Sequence, residues 1–213
     1  MGSDSAWRKK RRKRDVWIPA ARLRRLLADA NPDVRSDVVH FAGNTSPAGW
    51  RLVVRTAFHD PDAEVREKAA YTLSFSFDND WVLKPLLGLY CREGEAASVR
   101  AQAAEGFANL LTYARPQVAP LYKPAVRALV AGLSDSAPEV RFWSAFALGQ
   151  MRAKSAASEL RRVAENDEGY CPGWWRVADE ASDALAYVEG RDEDVPQREN
   201  EWQRSKREVT TPP

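Results

Sequence analysis

Four times this chain returns to one short pattern: Asp29-Ala-Asn-Pro-Asp-Val34-Arg35, Asp60-Pro-Asp-Ala-Glu-Val65-Arg66, Gly94-Glu-Ala-Ala-Ser-Val99-Arg100 and Asp135-Ser-Ala-Pro-Glu-Val140-Arg141. The Val-Arg pairs stand 31, 34 and 41 residues apart, a period at which one supersecondary unit stacks on the next. A unit of this size cannot bury its own apolar face, so its neighbours in the stack must do so.

After each valine, small or apolar residues follow at four, five and eight positions: Val38, Val39 and Ala42; Ala69, Ala70 and Leu73; Ala103, Ala104 and Phe107; Ser144, Ala145 and Leu148. That spacing is one face of a helix. A second helical pattern precedes each turn: Leu23, Leu26 and Leu27; Trp50, Val53, Val54 and Phe58; Val82, Leu83, Leu86, Leu87 and Tyr90; Val126, Leu129, Val130 and Leu133. Each unit therefore reads as helix, turn, helix. A fifth copy starts at Ala156-Ala-Ser-Glu-Leu160 and resumes after a longer turn at Trp174-Trp-Arg-Val177, followed by Ala181 and Leu185.

The turn residues carry their own chemistry. Asn31 or Asp60 supplies a side-chain acceptor for free backbone N–H groups at the start of the second helix, and Pro32, Pro61 and Pro138 preset the backbone there. An arginine in the first helical turn opposes the helix macrodipole. Its recurrence six residues after an aspartate, in three of the four copies, predicts a compensating ion pair, and stacking the copies would turn such pairs into a ladder.

The run Pro138-Glu-Val-Arg-Phe-Trp-Ser-Ala-Phe-Ala-Leu-Gly149 resembles the HEAT-like repeat family, including the short repeats of phycobilin lyases. The resemblance covers about residues 16–189 and implies an all-α fold, a right-handed α-solenoid of about five HEAT-like helix pairs. It says little about activity, since this architecture hosts scaffolds, lyases, hydroxylases and DNA-repair enzymes.

Three segments are expected: residues 1–15 as a disordered basic arm, 16–189 as the repeat domain, and 190–213 as a charged tail. The tail is nearly free of apolar residues apart from Val195, Trp202 and Val209, a composition that stays disordered in isolation. A net charge of +2 hides an asymmetry, because the arm is +5 and the other 198 residues sum to −3. No apolar run approaches the roughly 18–20 residues needed to cross a bilayer, and Asp15-Val-Trp-Ile-Pro19 follows the basic cluster where a signal core would stand. A cytoplasmic location is expected. Cys91 and Cys171, eighty residues apart, do not make a disulfide framework and read as reduced thiols.

Signals for catalysis are absent from the sequence. Deoxyhypusine hydroxylases of the HEAT-like type hold two irons through repeated His-Glu pairs, whereas here His40 precedes Phe41 and His59 precedes Asp60, so the ligand count fails. The cysteines lack the spacing zinc requires, and there is no Gly-rich phosphate loop, nucleophile elbow or paired catalytic carboxylates. Neither a catalytic residue nor a metal or other cofactor is expected.

The second helices carry the most informative positions. At 100° per residue, those two, three and six after the valine point toward what is normally the concave groove of such a stack. In order they are Ser36, Asp37 and His40; Glu67, Lys68 and Tyr71; Ala101, Gln102 and Glu105; Phe142, Trp143 and Phe146; and Asp179, Glu180 and Asp183. The fourth triplet, polar by rule, is wholly aromatic and is followed by an acidic one. Two readings follow. Either Tyr71, Gln102, Glu105, Phe142, Trp143, Phe146, Asp179, Glu180 and Asp183 form an open site with an aromatic anchor and an acidic rim, suited to a basic or amphipathic partner peptide, or the long fifth turn with Trp174 and Trp175, or the tail, covers the aromatics.

These features favour a non-catalytic scaffold binding a protein or peptide in its groove. Nucleic-acid binding through Arg8, Lys9, Lys10, Arg11, Arg12, Lys13 and Arg14 is a second possibility, with a solvated arm as the plain one. A phycobilin-lyase-like enzyme or chaperone is a third.

Overall fold

The computed structural model describes residues 18–43, 47–76, 80–112 and 119–210, and the basic arm at residues 1–15 lies outside them. Two compact units divide the chain, residues 1–73 and 74–213. Within the first unit run α1 (Ala20–Leu26), α2 (Pro32–Ala42), α3 (Pro47–His59) and α4 (Ala63–Ser74), the last ending at the boundary. The second holds α5 (Leu83–Tyr90), α6 (Ala97–Leu111), α7 (Ala119–Gly132), α8 (Pro138–Gln150), α9 (Ala157–Asn166), α10 (Val177–Glu189) and α11 (Glu201–Thr210). Among the described residues there is no β-strand, only an isolated bridge between Tyr170 and Arg176.

The helical periodicity places the core. Val39, Ala42, Ala69, Ala70, Leu73, Ala103, Ala104, Phe107, Ser144, Ala145 and Leu148 are all buried, and Leu23, Val53, Leu86, Leu129 and Leu133 of the first helices are buried too. In the second unit α8 is the central helix, packing on α6 on one side and α10 on the other. Its approach to α10 is close at Gly149, where a Cβ would lie 2.7 Å from Ala184 Cα. Glycine is required there by contact between two helix backbones.

The turns show how the repeated Asp and Arg work together. Asp60, Asp135 and Asp167 each accept from the backbone N–H two residues on, at Asp62 (3.0 Å), Ala137 (2.9 Å) and Gly169 (2.7 Å). The same carboxylates take the arginine of the preceding repeat. Arg35 Nε and Nη2 donate to Asp60 at 2.8 Å each, Arg141 Nε and Nη2 donate to Asp167 at 2.6 and 2.9 Å, and Arg100 donates to Asp135 through Nη1 and Nη2 while its Nε turns to the Glu95 carbonyl. The remaining arginine nitrogen closes its own turn: Arg35, Arg66 and Arg141 Nη1 donate to the carbonyls of Asp29, Asp60 and Asp135, each at 2.9 Å. The expected pairs exist at three of the arginines, each linking its repeat to the turn of the next within one unit. Asn31 caps α2 as expected, but at α4 the cap is Asp62, whose Oδ1 accepts from Glu64 and Val65 N–H at 2.9 and 3.1 Å.

The charged tail carries secondary structure among its described residues. A 3₁₀ turn at Asp192–Asp194 and helix α11 occupy it, and its charged residues find specific partners: Asp192 with Arg152, Arg198 with Asp183, and Glu201 with Tyr170. A polar composition lacks apolar area to bury, but here the repeat domain supplies preformed charges and a cavity against which Val195 and Pro196 pack.

Candidate functional site

An aromatic groove in the second unit

Between α9 and α10 the chain makes a ten-residue excursion whose local chemistry is a tight turn. Cys171-Pro172-Gly173-Trp174 closes with the Trp174 N–H on the Cys171 carbonyl at 3.0 Å, and Gly173 has φ +83°. Proline followed by a left-handed glycine is what a type II turn demands. Further bonds from Cys171 N–H to the Trp175 carbonyl (3.0 Å) and from Val177 N–H to the Gly169 carbonyl (2.9 Å) make the excursion a small hairpin. It carries Trp174 and Trp175 over the fourth second-helix, α8.

Five rings meet there. Trp143 stands edge-to-face with Phe142 (5.4 Å between centroids), Phe146 (5.3 Å) and Trp174 (5.1 Å), and Phe142 contacts Trp174 at 6.0 Å and Trp175 at 5.6 Å. They wall a cavity of about 330 Å³ with Glu105, Gln150, Glu180, Asp183 and Tyr187, and the tail completes it with Val195, Pro196 and Arg198. The open-site reading therefore needs two corrections. Phe142 is 1% exposed, because the hairpin lies on it, and is core, while Trp143 and Phe146 remain half-buried in the wall. Glu180 and Asp183, expected at a solvent rim, are 5% and 7% exposed, since Trp175 and the tail cover them.

The carboxylates differ in state. Burial pushes Glu180 up to about 8, with the neighbouring Asp183 adding to the effect, against the opposing hydrogen bond from Trp175 Nε1 at 2.9 Å and the charge of Arg198. Near neutral pH Glu180 is thus mostly the uncharged acid. Burial also raises Glu105, partly offset by a bond from Gln102 Nε2 at 2.5 Å. Asp183 is paired: Arg198 Nε donates to Oδ2 at 2.7 Å and Nη2 to Oδ1 at 3.0 Å, and its guanidinium lies 6.0 Å from the Trp175 ring centroid.

Of the sequence-predicted residues, Glu105, Phe142, Trp143, Phe146, Glu180 and Asp183 come together in this cavity, with Gln102 bonded to one of its walls. Asp179 is half-buried in the first turn of α10 and does not line it. Tyr71 belongs to the first unit, where Lys68 Nζ lies 4.9 Å from its ring centroid. Gln150, Tyr187, Pro196 and Arg198 went unnoticed in the sequence, and Val195 was noticed only as an apolar residue of the tail. Tyr187, four residues after Asp183, continues the α10 face, and Val195-Pro196 is an apolar interruption of a charged run; these were the available signals.

A second cavity, of about 390 Å³, lies within the first unit and is lined by Arg24, Asp29, Arg35, Arg55, Thr56, His59 and Asp60 among others. Arg35 and Asp60 are paired, whereas the side chains of Arg24 and Arg55 make no hydrogen bond or ion pair with a described residue. Cys91 and Cys171 are both free thiols, and burial, with Glu139 and Glu180 nearby, pushes Cys171 up to about 12. Among the described residues no group of three or more His, Cys, Asp and Glu is placed to hold a metal ion, and no helix is long and apolar enough to cross a membrane.

Comparison with known proteins follows the architecture. Residues 19–108 match the family model of HEAT repeats. No curated protein matches the sequence. Among solved structures, the chain is similar to one in the complex of CpcE and CpcF of phycocyanin lyase from Nostoc sp. PCC7120, at 17% identity, covering 78% of this chain and 96% of that one, with a TM-score of 0.61. It is also similar to an engineered protein, at 19% identity, covering 82% and 85% of the two chains, with a TM-score of 0.53. At these identities the likeness is one of fold. The chain is all-α, of the helical-repeat solenoid class, and its residues 19–108 match the HEAT-repeat model.

Proposed function

We propose that this protein is a non-catalytic interaction scaffold that holds a segment of a partner protein in the aromatic groove of its second unit. The observation that carries this reading is the cavity of about 330 Å³ walled by Phe142, Trp143, Phe146, Trp174 and Trp175 and by three carboxyl groups, one of which already binds a guanidinium. Aromatic anchors in a desolvated pocket dominate binding energy at protein interfaces, and the carboxyls select for a cationic or amphipathic segment. HEAT repeats suit such a role, and the similar CpcE and CpcF form a complex with each other. Two free thiols fit a reducing cytoplasm. Random-peptide display on the full chain tests the reading: enriched peptides should lose about 2 kcal/mol or more of binding on Trp143→Ala. Peptides that bind the Trp143→Ala protein unchanged would move the site elsewhere.

A second reading concerns anions. Helices α1 and α3 carry Arg22, Arg24, Arg25, Arg51 and Arg55 and no acidic residue, and two of these, Arg24 and Arg55, line the first unit's cavity without an ionic partner among the described residues. Together with the basic arm this supports nucleic-acid binding as the alternative function. Affinity would then fall by about 0.9 logarithmic units per tenfold salt for each phosphate neutralised. An affinity independent of salt would remove it.

A further inference from the structure

The chain's own tail lies in the groove as a ligand would. Val195 and Pro196 line the cavity, and Arg198, two residues on, enters a slot formed by the Asp183 carboxylate and the Trp175 ring. The slot fits guanidinium rather than ammonium. Both oxygens of Asp183 are used in parallel by two nitrogens of one planar fork, a match that a lysine, as a point charge, does not reproduce. It also fits one cation and no more: with Glu180 held largely as the neutral acid and spent on the Trp175 indole N–H, Asp183 supplies the charge that the guanidinium meets.

The tail is held at a few points and leaves the groove partly empty. Outside the slot, the tail is attached by the Glu201 N–H on the Gly173 carbonyl (3.1 Å), by the exposed Tyr170 hydroxyl, which bonds Glu201 Oε1 (2.8 Å) and Arg204, and by the exposed Arg152–Asp192 ion pair. Residues 191–207 are otherwise mostly exposed, so few contacts beyond these need break for the segment to open. The cavity of about 330 Å³ persists with Val195 and Pro196 in place, so a larger apolar side chain at the valine position has room against the aromatic wall.

Resting on the reading of this groove as a partner site, we infer that the partner presents a segment of the form apolar–Pro–x–Arg, which displaces the chain's own Val195-Pro196-Gln197-Arg198 and sets its guanidinium between Asp183 and Trp175. The tail is tethered, so its effective concentration is high and it competes with the partner although it fills the groove less well. Opening the tail therefore exposes the site, and a partner with a bulkier apolar residue before the proline wins the exchange.

Titration calorimetry with a capped synthetic peptide of residues 192–203 tests this on the full chain. The Arg198→Ala protein should bind the peptide at least about tenfold more tightly than the parent, as expected when a tethered competitor is removed. The Glu201→Ala protein loosens the tail without touching the slot and should shift affinity in the same direction, so a poorly folded Arg198→Ala protein does not end the test. Arg198→Lys within the peptide should cost about tenfold or more, and Val195→Phe should strengthen binding. Equal affinity of the parent and both opened proteins, or of the Arg and Lys peptides, overturns the inference. Display-selected peptides that need Trp143 but contain no arginine would leave the groove as a partner site and overturn the arginine slot alone; if no peptide of either kind binds, both readings fail.

Discussion

Arg198 and Asp183 form a two-point ion pair across fifteen residues of sequence, Nε to Oδ2 at 2.7 Å and Nη2 to Oδ1 at 3.0 Å. The arginine belongs to a charged tail and the aspartate to the buried face of α10, so this contact ties the tail to the repeat domain. Removing the arginine leaves a nearly buried carboxylate beside Glu180 without its cation. Arg198→Ala should cost about 1–3 kcal/mol of stability in thermal or urea unfolding. Hydrogen exchange should accelerate at residues 195–204 and stay unchanged in α8.

Glu180 makes stability fall as pH rises. Its folded value of about 8 lies above the ordinary 4.5, so between those limits the folded chain keeps a proton that the unfolded chain has released. Below that window both states are protonated and the residue contributes nothing; above it the full cost of a buried charge is present. The groups facing it are Asp183 on its own helix, Trp175 and Cys171 from the hairpin, and Arg198 from the tail. Glu180→Gln keeps an acceptor for the indole N–H and cannot ionise. The variant's melting temperature should match the parent's near pH 5 and exceed it increasingly toward pH 8, and parallel profiles would contradict the assignment.

The Arg–Asp ladder is testable at Arg141 and Asp167. Arg141 serves two roles, closing its own turn on the Asp135 carbonyl and holding Asp167, whose carboxyl is kept below its usual range by that arginine and by the Gly169 N–H against the opposing effect of burial. Arg141→Ala should cost about 1–3 kcal/mol in urea unfolding. In a double-mutant cycle with Asp167→Ala the two losses should fall short of additive by about 0.5–3 kcal/mol. Arg141→Lys should recover little, because lysine lacks the fork.

Adjacent residues of α8 should behave oppositely. Phe142 is 1% exposed beneath Trp174 and Trp175, so Phe142→Ala leaves a cavity and should cost about 3–5 kcal/mol of folding stability. Trp143 is half-buried in the groove wall, so its truncation should cost less in unfolding and more in peptide binding.

The helix pairs and their buried faces were readable because they repeat: Ala70, Ala104 and Ala145 occupy one register, and all three are buried. The same register put Phe142 on its helix but left open whether its ring is exposed or covered. Its environment depends on the hairpin at 167–176, and although Cys171-Pro-Gly-Trp174 announces a turn, nothing local to it says which helix the following tryptophan will cover. The ladder was legible as arginines in need of partners, but not as bonds to the next repeat's aspartate, because stacking is a long-range relationship. Arg198 had no periodic neighbour to mark it, and a charged tail reads as solvated until a buried Asp183 is known to await it.

The groove itself is most directly tested by ¹⁵N–¹H spectra of the full-length Arg198→Ala protein, with indole Nε1–H signals assigned by single Trp→Phe substitutions, during titration with the capped peptide of residues 192–203. The account predicts saturable shifts of the Trp143, Trp174 and Trp175 indoles with one common dissociation constant, while the indoles of Trp50 and Trp81 stay in place. Binding that leaves Trp143, Trp174 and Trp175 unmoved, or that moves Trp50 in their stead, would contradict it.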